Sequence, residues 1–248
     1  MLIAGENNLN TLTIATPFYN EEEGLDNYFE TVKKISNLIN KRIILKFLFI
    51  DDGSKDNTKI KLIEFKDQNP NYDIKIFSHS ENMGYGKTLK NSILLSNTDY
   101  LITYDSDCTY DYNLIVSLIN NVENYNNDIV NVSYKLSQNI MEASYFRKFL
   151  SWGSSLIYRF IFPEIRKYNI SVMTCSFRIY NLSKIKEIEL KSNDFNCCAE
   201  LLIKSMKKNL RISEIAGENL GRKFGYSKMK ILKNIFNTLK TIILIKIN

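Results

Sequence analysis

The chain has 248 residues, 44% of them hydrophobic, and a formal net charge of +6. That length and composition suit one large α/β domain, with at most a C-terminal extension, and argue against a multi-span membrane protein. Four cysteines without a C-x-x-C pair and a single histidine argue against a zinc site.

Reduced thiols of a cytosolic protein are therefore the expectation. Met1 to Asn10 shows no basic segment followed by an apolar one, so no signal peptide is expected. The longest apolar stretches, near 149–162 and 235–247, are interrupted by Arg or Lys and fall short of a spanning helix of about 18 residues. The charge is uneven. No acidic residue follows Glu218, yet Arg222, Lys223, Lys228, Lys230, Lys233, Lys240 and Lys246 do. Such an end suits an anionic partner: membrane lipid, a phosphate ligand or nucleic acid.

In chain order, Thr11–Thr16 reads as the first strand. A helix to about Asn40 follows, with Asn20 as its N-cap and Glu21 to Glu23 complementing the helix dipole. Leu45–Ile50 is a strand, Asn57–Phe65 a helix and Asp73–Phe77 a strand. Gly84–Leu95 is a helix, Tyr100–Tyr104 a strand, Asn113–Asn124 a helix and Ile129–Tyr134 a strand. This alternation predicts a mostly parallel sheet with right-handed crossovers.

The second half is less regular. Ala143–Phe162 reads as an aromatic-rich helix, Ser176–Tyr180 as a strand, Cys197–Lys208 as a helix and Leu210–Ile215 as a strand. For Trp152, Tyr158, Phe160 and Phe162, core packing and a membrane-facing surface are both open. Ser227–Ile245 is a terminal helix with an apolar stripe of Met229, Ile231, Leu232, Ile235, Phe236, Leu239, Ile242 and Ile243 beside lysines. The expected organisation is one catalytic domain over 1–226 and a basic amphipathic helix over 227–248.

The fourth strand ends in Asp105-Ser106-Asp107. Two carboxylates one residue apart at a strand's C-terminal end can turn to one crevice, where open α/β sheets bind ligands. Like charges at ~4 Å repel by several kcal/mol at an effective dielectric of about 20. A divalent cation relieves this, and oxygen-only ligands suit Mg²⁺ or Mn²⁺. Three earlier strand ends carry polar loops: Thr16-Pro17-Phe18-Tyr19-Asn20-Glu21, Asp51-Asp52-Gly53-Ser54-Lys55-Asp56 and Glu81-Asn82-Met83-Gly84-Tyr85-Gly86-Lys87. All four should converge on one crevice. No G-x-G-x-x-G or Walker lysine motif is present. His79 reads as a loop residue without a role.

The succession P-x-Y-N-E, D-D-G-S-x-D, N-x-G-x-G and D-x-D resembles family 2 glycosyltransferases of the GT-A fold. In the second half, Met173-Thr174-Cys175-Ser176-Phe177-Arg178 resembles the T-G-S-F-R segment of the polyprenyl-phosphate glycosyltransferases, the dolichol-phosphate mannose synthase branch. Glu200, following Phe195, resembles their F-x-x-E region, and Arg222 to Lys228 their R-x-x-G-x-S-K segment.

The resemblance implies an α/β GT-A enzyme with a Rossmann-like central sheet. It would invert the sugar while moving it from a nucleotide-diphosphate sugar to undecaprenyl or dolichyl phosphate, in cell-surface glycan synthesis at the cytoplasmic membrane face. It places Pro17, Tyr19, Glu21, Asp51, Asp52, Gly84, Lys87, Asp105 and Ser106 at the donor. Gly84 and Gly86 would allow close approach to that donor. Asp105 and Asp107 would hold Mg²⁺ or Mn²⁺, with Asp107, Arg222 and Glu200 in the catalytic set. Arg147, Ser151, Arg178 and Lys228 would hold the acceptor phosphate, which needs cations and no general base.

The sequence departs from that pattern at Thr109, where Gln is frequent, at Tyr134-Lys135 and at Cys175, which stands where Gly is usual. One alternative is a transferase acting on a saccharide hydroxyl, with Glu200 or Asp194 as base. Another is a non-catalytic homologue. A nucleic-acid binder is disfavoured, because no aromatic platform interleaves the basic run.

Overall fold

A computed structural model describes residues 9–39, 41–134, 156–218, 220–221 and 231–247. Strands β1 (Thr11–Phe18), β2 (Ile44–Asp51), β3 (Asp73–Ser78) and β4 (Tyr100–Thr103) alternate with helices α1 (Leu25–Leu38), α2 (Thr58–Gln68) and α3 (Tyr85–Leu95). Next come α4 (Leu114–Tyr125), β5 (Ile129–Ser133), a helical stretch α5 over 156–161 and β6 (Arg178–Asn181). The short α6 (Leu182–Ile185), α7 (Cys197–Lys207), β7 (Ile212–Ala216) and α8 (Ile231–Ile247) complete the described chain.

Among the described residues one sheet of seven strands runs in the order β3-β2-β1-β4-β6-β5-β7. β1 pairs in parallel with both β2 and β4, and β2 with β3. The strand order therefore reverses at β1, with β2 on one side and β4 on the other. A crevice opens at the carboxyl ends of such a pair. The sheet departs from parallel at β6, which runs antiparallel to both β4 and β5, while β7 pairs with β5 in parallel.

The strands are apolar almost throughout because helices cover both faces. Leu12 and Ile14 of β1 join Leu25, Tyr28 and Val32 of α1, Leu62 and Phe65 of α2, and Ile115 and Leu118 of α4 in one core. Ala15, pointing the other way, joins Leu89 and Ile93 of α3, Leu201 and Leu202 of α7, and Ile242 and Ile245 of α8 in the second. Tyr158 and Phe162 lie in that second core, whereas Phe160 is 81% exposed, so the aromatic segment divides between packing and surface. Trp152 lies outside the described residues.

Two local expectations are corrected. Asn20 does not cap α1. It sits at φ 51°, and its Oδ1 accepts from Lys55 N at 2.8 Å, which ties two strand-end loops together. The helix instead begins after a 3-10 turn, Glu22–Gly24. The buried side chains of α8 include Thr238, Thr241, Ile242 and Ile245, while Leu239 and Ile243 of the expected stripe face solvent. Ser192 Oγ meets Thr241 Oγ1 at 2.9 Å, and Lys207 Nζ donates to Ile245 O at 2.8 Å, so α8 is docked on the body of the molecule.

Candidate active site at the strand ends

The β1 and β2 loops are laced by backbone donors and side-chain acceptors. Asn20 N donates to Ser54 Oγ at 3.0 Å, Glu21 N to Thr58 Oγ1 at 2.9 Å and Glu22 N to Asp56 Oδ2 at 3.2 Å. Asp51 is 1% exposed and turns its Oδ1 to Ser54 N. Asp52 is 4% exposed, and its carboxylate accepts from Met83 N and Gly84 N, both at 2.9 Å. The β3 loop is thereby fastened to the end of β2. Pro17, Tyr19, Glu21, Gly84, Lys87 and Ser106 are all partly exposed around these loops.

Asp105 and Asp107 follow β4 and are partly exposed. Tyr104 N donates to Ala15 O, so the pair emerges beside the end of β1. Asp105 Oδ2 accepts from Ser176 Oγ at 2.5 Å, and Asp107 Oδ1 from Thr109 N at 3.2 Å. Ser176 was not among the expected site residues. The antiparallel register that sets Thr103 opposite Arg178 carries it there, because two residues further on Asp105 faces Ser176. That register is non-local, so nothing along the chain announces it.

The two carboxylates are hard oxygen donors of the kind a divalent cation takes, and Asp105 and Asp107 would hold it if it binds here. Among the described residues no cluster of three His, Cys, Asp or Glu forms a closed metal cage. Cys175, in the position where Gly was expected, is buried with its Sγ 3.8 Å from Tyr110 OH, and burial pushes its thiol up to about 12.

Arg178 and Glu200 are not at the crevice, and their expected roles are corrected. Arg178 is 0% exposed. Its guanidinium donates to Asn131 Oδ1 at 2.6 Å, Met173 O at 2.6 Å and Cys198 O at 2.7 Å. It bolts β6 to β5 and α7 and offers nothing to a phosphate.

Glu200 is also 0% exposed. Its oxygens accept from Lys191 N at 2.9 Å, Ser192 N at 2.8 Å and Lys204 Nζ at 2.8 Å. Burial alone would raise its carboxyl, but the bonds from Lys204 and the two backbone amides hold it below the ordinary glutamate value. A carboxylate so occupied is an anchor for the 191–193 segment and not a base.

That segment explains the glycines. Gly86 N donates to Asn193 O at 2.9 Å. A Cβ on Gly84, at φ 86°, would lie 2.5 Å from Asn193 O, and one on Gly86 would collide with the Ser192 carbonyl. The close approach these glycines permit here is that of the chain's own backbone at Ser192 and Asn193.

His79, read from the sequence as a loop residue without a role, has its side chain buried against Asp52. Arg147, Ser151, Arg222 and Lys228 lie outside the described residues, as does Lys135.

The profile of Glycosyl transferase family 2 matches residues 13–189, more than half of the chain. A dolichol-phosphate mannosyltransferase of Pyrococcus furiosus is 24% identical over 231 residues, covering 93% of this chain and 62% of the relative. A dolichyl-phosphate beta-glucosyltransferase of Dictyostelium discoideum is 25% identical over 217 residues, covering 83% and 65%. The chain thus spans somewhat less than two thirds of the length of both relatives.

Among solved structures, glucosyl-3-phosphoglycerate synthase from Mycobacterium tuberculosis in complex with Mn²⁺ and uridine-diphosphate-glucose superposes with a TM-score of 0.68 at 17% identity, covering 95% of this chain and 79% of that one. The same synthase bound to uridine-diphosphate gives a TM-score of 0.68 at 16% identity, covering 95% and 80%. These structural likenesses establish the GT-A fold, and the matched profile makes the chain a member of glycosyl transferase family 2.

Proposed function

We propose that this chain is an inverting glycosyltransferase that moves a sugar from a nucleotide-diphosphate sugar to a polyprenyl phosphate. The observation that carries the reading is the partly exposed Asp105–Asp107 pair at the end of β4, set beside β1 where the strand order reverses. Tyr19 and Glu21, just after β1, and Lys87, in the first turn of α3, are partly exposed, and in this reading they border the same crevice. Tyr19 presents a ring to the base, and Lys87 a cation to the donor phosphates. Mg²⁺ or Mn²⁺ held by Asp105 and Asp107 would offset charge on the leaving nucleoside diphosphate.

The burial of Glu200 bears on the acceptor. A hydroxyl acceptor needs a base to take its proton, whereas a phosphate monoester is already anionic near pH 7. Glu200 is buried and held by three donors, so it cannot be that base. This supports the phosphate acceptor over the saccharide-hydroxyl alternative, for which Asp194, partly exposed and accepting from Asn196 N at 2.9 Å, is the remaining candidate. The relatives named for dolichol-phosphate and dolichyl-phosphate transfer lend the same support. Arg147, Ser151, Arg222 and Lys228 stay the proposed holders of that phosphate.

No helix among the described residues is long and apolar enough to cross a membrane. Peripheral attachment at the cytoplasmic face is proposed instead, through the exposed Leu239 and Ile243 beside Lys240 and Lys246.

The experiment is transfer from a panel of nucleotide sugars, with Mn²⁺ or Mg²⁺, to added undecaprenyl or dolichyl phosphate. Organic extraction should recover a labelled lipid only when lipid phosphate and metal are both present. Transfer to a free saccharide and none to the lipid would favour the hydroxyl acceptor. Lack of both transfer and donor hydrolysis would favour a non-catalytic homologue.

A further inference from the structure

The single histidine of the chain, His79, follows β3 and packs against the end of β2. His79 and Asp52 have side chains only 4% and 5% exposed, and His79 Nδ1 stands 2.6 Å from Asp52 Oδ1. A carboxylate can only accept, so the proton of this bond is on Nδ1. The other ring nitrogen, Nε2, lies 2.7 Å from Asn91 Nδ2 on α3. An amide nitrogen can only donate, so Nε2 accepts in this contact. The edge-on Phe77 ring, 5.4 Å away, closes the pocket, and His79 N donates to Asp51 O at 2.9 Å. The imidazole is thus fixed on both sides between the end of β2 and the middle of α3.

Asp52 has further duties. The oxygen that meets His79 also accepts from Met83 N at 2.9 Å, and the other accepts from Gly84 N at 2.9 Å. Gly84 is the residue before α3, and Lys87 follows in that helix's first turn. A chain of bonds therefore runs from Asn91 through His79 and Asp52 to the turn that starts α3. With three bonds on the carboxylate, one lone-pair direction remains on Oδ2 for a donor N–H.

We propose that His79 is a positioning residue for the donor: through Nδ1 it fixes the Asp52 carboxylate, and through Asp52 it fixes the Met83–Gly84 turn and the start of α3. This rests on the donor reading given above.

Two variants separate the ring nitrogens. The amide nitrogen of His79→Asn falls near the place of Nδ1, so it keeps the donor to Asp52 and drops the acceptor for Asn91. The longer His79→Gln reaches the place of Nε2 and loses the donor to Asp52. A merely structural role ranks the two by volume and favours Gln. The positioning role ranks them by bonding and favours Asn.

The donor KM and the Kd for UDP with Mn²⁺ should rise about tenfold or more in H79Q, since a hydrogen bond to a charged group is lost. They should stay within about threefold of wild type in H79N, and kcat should move less than KM in both. Combining H79Q with Asp52→Asn should add little to the KM of D52N alone, because the two act in series. Melting of the unliganded proteins reads any structural damage separately.

Equal donor affinity in the two variants, or a loss confined to kcat, overturns the inference. A tenfold weakening in folded H79N overturns it whatever H79Q does. If wild type binds UDP, UDP-sugar and other nucleotides not at all, the donor reading fails and this inference with it. Wild-type binding that both variants match overturns this inference alone.

Discussion

Asp105 and Asp107 sit partly exposed at the end of β4, whereas Arg178 on β6 and Glu200 on α7 are wholly buried. Both regions lie near the carboxyl side of the sheet, and both contain charged residues that sequence motifs single out. Their hydrogen bonding differs. Glu200 answers two backbone amides and an ammonium, and Arg178 answers two carbonyl oxygens and an amide oxygen. Asp105 and Asp107 are only partly buried. A buried charge that is fully bonded holds segments together, while a half-exposed one can still take a ligand. The same contrast runs through the loops: the Asp52 carboxylate fastens the β3 loop from within, while Tyr19 and Lys87 are partly exposed.

The sharpest way to break this contrast is at the crevice. Asp107→Asn should lower transfer by about a thousandfold or more, since loss of several kcal/mol of charge stabilisation costs a decade of rate per ~1.4 kcal/mol. Its stability should stay within ~0.5 kcal/mol of wild type, as for an exposed site. Product formation with Mn²⁺ and thermal melting measure the two. Full activity in the variant, or of wild type in excess EDTA, would remove the metal assignment.

Arg178→Met should do the reverse. Removing one partner from a buried charged network costs about 3–5 kcal/mol. Urea unfolding should show that loss, and the fraction that remains folded should bind the donor normally. A stable variant defective only in acceptor use would return Arg178 to the phosphate site.

Glu200→Gln should be milder, losing about 1–3 kcal/mol by weakened bonds to the 191–192 amides and Lys204. Turnover per folded molecule should fall far less than the 10²–10⁴-fold expected for a lost general base. The pH dependence has a definite sign. The Glu200 carboxyl is held below its ordinary value in the folded state, so its stabilisation is present above the unfolded value and is lost as pH falls through the folded one. The stability gap between wild type and E200Q should therefore narrow on acidification below the ordinary glutamate range, by denaturant unfolding at stepped pH.

The smallest effect is expected at the surface of α8. Leu239 and Ile243 are 50% and 57% exposed, and charging both to Glu should leave the melting temperature unchanged while weakening flotation with anionic vesicles at low salt. If intact protein stays off such vesicles, the attachment proposal is wrong.

Much of the fold was legible in the chain. The run from Thr11 to Ser133 shows its strands as apolar segments and its helices as periodic ones, because parallel strands covered on both faces need little else. The four polar strand ends followed from that alternation, and β1 does lie between β2 and β4. Legibility ended where pairing became non-local. The antiparallel β6 brings Ser176 to Asp105, and the buried carboxylate of Glu200 captures amides of Lys191 and Ser192. His79 looked idle because its partners lie 27 and 12 residues away along the chain.

The sequence by itself determined that this is an α/β domain with acidic and glycine-bearing loops at successive strand ends, since those depend on local periodicity and on turn chemistry within a few residues. Tertiary structure alone decided which charged residues stay open to a ligand. Burial is set by where each strand and helix packs, and a charge enclosed there must be bonded to the chain itself.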